Sequence, residues 1–132
     1  MHWDPNFTAD LQLGANTSFA HLPLYGQRLR QSWQFTVGST TALLGNRGPK
    51  DGVADPQSYT YGRDGRWAGH VVFGDGHIEF VSTFTPNGLF YEDHGQRLPD
   101  NLFRVDDGMN GVDAIFAFTQ AMAADGPELQ FD

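Results

Sequence analysis

The sequence predicts an α+β, mainly β domain built on an antiparallel sheet, with a central hairpin at about residues 70–81. Three observations predict it. Two apolar, β-branched runs flank an Asp75-Gly76 pair, a strong short-range hairpin signal. Sixteen Gly and seven Pro punctuate the 132 residues, while sustained helical periods are few. Elsewhere apolar residues alternate, as in Ser32-Trp-Gln-Phe-Thr-Val37, where Trp33, Phe35 and Val37 share a face.

Taken in order, residues 1–31 read as irregular, broken by Pro5, Gly14, Pro23 and Gly26. Residues 32–37 and 40–44 read as strands, separated by Gly38-Ser39. Gly45 to Gln57 is turn chemistry almost throughout and predicts an exposed loop. Ser58 to Tyr61 reads as a short edge element. After the hairpin, Ser82 to Gly88 is a turn region, and Leu89 to Gly111 is loop-rich and acidic. Residues 113–124 fit two readings. Asp113 can cap a helix, or Ile115-Phe-Ala-Phe118 can open a strand, and the β-rich start favours the strand. With no repeat or linker, a single domain is expected.

The hairpin defines the expected core. With a two-residue primed turn at Asp75-Gly76, Phe73 faces Ile78 and Val71 faces Phe80, so one side of the ribbon is apolar. His70, Val72, His77, Glu79 and Val81 fall on the other side.

Composition narrows the function. Eight Lys plus Arg against sixteen Asp plus Glu give a formal charge of −8, which argues against binding nucleic acid or anionic lipid. With no cysteine, disulfides, thiolate zinc sites and cysteine nucleophiles are excluded. No apolar run approaches the ~20 residues of a membrane-spanning helix, and the N-terminus lacks a secretory pattern.

Candidate chemistry is sparse. Of His2, His21, His70, His77 and His94, the expected register puts His70 and His77 on one face, roughly 13 Å apart at about 3.3 Å per residue, too far for one zinc. His77 and Glu79 are placed either to hold a ligand or to pair. The loop Val105-Asp-Asp-Gly-Met-Asn-Gly-Val-Asp113 is the best cation candidate. Asp106, Asp107, Asn110 and Asp113 offer the oxygen donors calcium takes, without the EF-hand spacing. Trp67, beside Arg63 and Arg66, suits packing at a sheet end or an assembly or ligand contact. There is no Gly-x-Ser-x-Gly elbow and no phosphate loop.

Gly62-Arg-Asp-Gly-Arg-Trp-Ala-Gly-His-Val-Val-Phe-Gly-Asp-Gly-His-Ile-Glu-Phe-Val81 resembles the signature of bacterial prepilin-type processing-associated proteins, named for a histidine followed by nine residues and Asp-Gly. Val71-Val-Phe73, Asp75-Gly-His77 and Phe80 match it. Thr41 to Pro49 resembles the family's approach to the signature, and Asp100-Asn-Leu-Phe103 a segment that follows it. Two positions depart: Gly65 stands where the family histidine falls, and His70 where an Asn is usual.

The resemblance implies a pilin- or pseudopilin-like globular head, outside the membrane, carried here without the family's N-terminal helix and anchor. It implies a non-enzymatic structural subunit of a filament or secretion-associated surface protein, assembling with itself or with other pilin-like subunits. Calcium in a C-terminal loop accords with some pseudopilin heads. A calcium-dependent extracellular ligand-binding module, with Trp67 and the acidic loop as its site, is the second expectation. A hydrolase pairing His77 with Asp93 or Asp107 is the third.

Overall fold

Eight short strands, all paired antiparallel, form three sheets among the described residues. The computed structural model describes residues 19–54 and 67–131. The expected edge element at Ser58–Tyr61, the Gly65 position, Arg63, Arg66 and the irregular stretch before Phe19 lie outside them.

The main sheet has the order β1 (Phe19–His21), β2 (Ala42–Asn46), β3 (Gly69–Phe73), β4 (Ile78–Val81). Two hairpins complete the set: β5 (Phe90–Asp93) with β6 (Gln96–Pro99), and β7 (Phe118–Ala123) with β8 (Gly126–Gln130). The mainly β, antiparallel expectation therefore holds. A bridge between His21 and Ala117, with reciprocal N–H···O bonds of 3.2 and 3.4 Å, ties β1 to the segment entering β7.

The 70–81 hairpin is present, but its register differs by one residue from the expected one. Val72 opposes Ile78, Val71 opposes Glu79, His70 opposes Phe80 and Gly69 opposes Val81. The connection is a three-residue loop, Gly74-Asp75-Gly76. Gly76 N–H donates to Phe73 O (2.9 Å) and Phe73 N–H to His77 O (3.0 Å). Gly76 takes the left-handed conformation (φ 88°) and Asp75 does not, which is a turn followed by a glycine bulge rather than a primed two-residue turn. A one-residue slip sends every side chain of one strand to the opposite face. Val81 is consequently buried with Val71 and Phe73, while Ile78 and Phe80, expected in the core, are 62% and 60% exposed.

Over the inner face lies the core. Ala20, Leu22, Ala42, Val71, Phe73 and Val81 pack with Trp67, Leu89, Leu102, Phe103, Ala114 and Phe116. Gly45 of β2 permits this layering. A Cβ there would stand 2.8 Å from the Phe116 ring and 2.6 Å from His70 O. Trp67 is wholly interior. Its Nε1–H donates to Arg47 O (2.7 Å), and its ring meets Phe103 edge-on at 5.0 Å and stacks with Phe84 at 6.2 Å. Burial removes it as an assembly or ligand contact and leaves the packing role.

Further expectations are corrected. Residues 32–37 form no strand. A π-helical turn, Arg28–Ser32, is followed by turns through Thr36, and Phe35 is fully exposed. Alternation there lost to the anchoring of Arg28 described below. The strand expected at 40–44 runs two residues later, and Gly45 to Pro49 is buried rather than an exposed loop, because it threads between Trp67 and Phe103. The stretch from 89 to 111 contains the β5–β6 hairpin, whose two-residue turn, His94-Gly95, has both φ angles positive (47° and 79°). Residues 113–124 resolve as extended chain leading into β7, the strand alternative.

Candidate functional site

Two features stand apart from the packing: the outer face of the main sheet and an acidic cluster beneath the 106–113 loop.

The outer face follows from the register. One cross-strand row runs His21, Leu44, Val72, Ile78, each opposite the next. Beside it His70 opposes Phe80, their rings 5.0 Å apart and edge-on. Phe19 on β1 is 59% exposed. On this face Phe19, Ile78 and Phe80 are each more than half exposed, with Leu44 and Val72 half-buried between them.

At the turn end of the hairpin, His77 lies on the inner side and not with His70. Its ring stacks flat on Phe73 (4.5 Å, 1°). Nδ1 bonds Asp75 Oδ1 and Nε2 meets Glu79 Oε1 at 3.1 Å, so the pairing alternative for His77 and Glu79 is the one observed. Hydrogen bonding to Asp75 raises the His77 pKa above its usual value and lowers that of Asp75. Asp93 instead bonds His94, and Asp107 Oδ2 accepts from Val112 N–H (3.1 Å). Neither meets His77 in a pocket, as the hydrolase reading requires.

Arg28 organises the acidic cluster, and the sequence reading missed it. The residue is fully buried. Its Nε–H donates to Asp113 O (2.8 Å), Nη1 to Met109 O (2.8 Å) and Nη2 to Gly108 O (3.0 Å) and to Asp113 Oδ1. One planar fork thus holds both ends of the 108–113 segment. Asp113 Oδ2 accepts from Asp106 N–H (2.7 Å), closing the loop on itself. Asp106 Oδ1 receives Arg104 Nε–H (2.6 Å), and Asp100 Oδ2 receives Ala114 N–H (2.7 Å).

One carboxylate oxygen from each of Asp100, Asp106 and Asp113 lies within 4.8 Å of the others. Of the four residues expected to hold a cation, Asp106 and Asp113 converge. Asp107 is outside this set, and Asn110 packs its side chain against Gly26. Asp100 is the third member. Burial pushes its pKa up to about 8 and also raises that of Asp113. Local spacing could not have found Asp100 or Arg28, since the chain brings both from outside the loop.

No protein-family model, curated protein or solved structure matches the chain.

Proposed function

We propose that this chain is a non-enzymatic assembly module, the head of a pilin- or pseudopilin-like subunit, which associates with copies of itself or with related subunits through the outer face of its main sheet. One observation carries the reading: Phe19, Ile78 and Phe80 stand exposed on a single face around half-buried Leu44 and Val72. A contiguous apolar face rimmed by polar residues is the kind of surface that proteins use to bind one another. An apolar helix or a second sheet laid across it would remove these side chains from water, at about 25 cal/mol per Å² of apolar area. The resemblance of residues 62–81 to the prepilin-type signature supports the same reading, because heads of that kind pack a helix against their sheet.

Sedimentation velocity over a concentration series tests it. The wild-type chain is expected to self-associate, and an Ile78→Ser/Phe80→Ser double variant to stay monomeric with little change in melting temperature. A wild-type chain that remains monomeric at every concentration would overturn the self-assembling form of the proposal. So would association that the double variant retains.

A further inference from the structure

We propose that Asp100, Asp106 and Asp113 form a binding site for a divalent cation of calcium size. The geometry comes first. Three carboxylate oxygens within 4.8 Å of one another are close enough to face one ion, and all-oxygen donors suit a hard cation.

The second observation is independent of the clustering. Asp100 is 2% exposed, and with Oδ2 occupied by Ala114 N–H its Oδ1 meets no donor. Asp106 repeats the pattern: Oδ1 is taken by Arg104, and buried Oδ2 meets none. Folded proteins rarely leave such acceptors unpaired, because a buried acceptor without a donor forfeits the hydrogen bonds it made to water. Here two of them belong to neighbouring carboxylates, and no donor reaches either oxygen.

Charge points the same way. Arg28 pairs with Asp113 and Arg104 with Asp106, and neither guanidinium bonds Asp100. The other titratable groups that bear on this cluster, Tyr91 of β5 and Asp107 of the loop, supply no positive charge. A buried, uncompensated carboxylate must take up a proton or a cation.

The protein's own bonds hold the scaffold. Arg28 fixes the carbonyls of Gly108, Met109 and Asp113, and Asp106 N–H fixes Asp113 Oδ2, so the donors are held in place by bonds that binding does not break. Preorganisation of this kind lowers the cost of binding. Asp100 also borders a cleft of about 270 Å³ lined by Leu89, Val112 and Ala114. With three protein ligands and water completing the shell, affinity belongs in the weak range of extracellular modules, a Kd of about 0.1–1 mM.

The test is thermal unfolding and titration calorimetry of the full chain in calcium, in magnesium and in chelator. Calcium at 10 mM is expected to raise the melting temperature by roughly 5 °C over chelator, with magnesium giving less. Asp100→Asn keeps an acceptor for Ala114 N–H while removing the uncompensated charge. It should fold in chelator and lose the calcium shift and heat. Asp106→Asn provides a second variant with the same expected loss. A wild-type chain showing neither shift nor heat would mean that the cluster holds only a proton, and would overturn the proposal. A calcium shift retained in both variants would place the ion elsewhere and overturn it equally.

Discussion

Arg28 and Asp113, 85 residues apart in sequence, are joined twice: Nε–H donates to the Asp113 carbonyl at 2.8 Å, and Nη2 pairs with its carboxylate. Both side chains are out of contact with water. The pair links the π-helical turn after β1 to the chain entering β7, and the same guanidinium also supports Gly108 and Met109.

Removing one partner of a buried ion pair strands the other. Arg28→Met should therefore lower unfolding free energy by about 3–5 kcal/mol, read from urea denaturation. Arg28→Lys should recover little, because an ammonium does not reproduce a planar fork that serves three carbonyls and a carboxylate. A Met variant as stable as wild type would show that the loop holds itself.

Asp100 makes stability depend on pH in a specific direction. Its carboxyl has a pKa near 8 when folded, against 3.8 for the ordinary group. Between those values the folded state binds the extra proton, so stability conferred by the protonated form falls as pH rises from about 4 to about 8. In chelator, wild type minus Asp100→Asn should show this decline in the urea midpoint. A pH-independent difference between the two would contradict it.

His77 should titrate above the usual histidine value, because the protonated ring is favoured by its bond to Asp75. The stabilising contribution is present below the ordinary pKa of 6.5 and disappears as pH rises through the folded value. Proton NMR of the His77 ring should give the raised value, and Asp75→Asn should bring it back down. An unchanged His77 titration in that variant would remove Asp75 as the cause.

Gly45→Ala places a methyl group against the Phe116 ring and the His70 carbonyl, and neither is free to withdraw. A loss of about 1–3 kcal/mol is expected from overpacking. The exposed turn glycine Gly76 gives a contrasting case: nothing lies near its Cβ position, and Gly76→Ala should cost only the strain of its positive φ.

The sheet was legible in the sequence where signals are local. Alternation and Asp75-Gly76 identified the 70–81 hairpin, and the acidic 105–113 loop was marked as oxygen-rich. The register was not legible, because Gly74-Asp75-Gly76 supports either a two- or a three-residue connection, and Asp75 Oδ1 accepting from His77 N–H (3.1 Å) favours the latter. His94-Gly95 is a weak turn signal, because histidine is an uncommon residue for a primed turn, though it tolerates positive φ. The cluster itself depended on residues no spacing rule connects. Arg28 sits in a stretch without periodicity, and Asp100 follows β6, five residues before the 105–113 loop it completes.

The His21–Ala117 bridge and the Arg28–Asp113 pair close loops far longer than any hairpin of the described chain, and this has a kinetic consequence. The hairpins 69–81, 90–99 and 118–130 need only short-range encounters, whereas these two links must await the ordering of everything between them. Mutations at Arg28 or Asp113 should then accelerate unfolding far more than they slow folding.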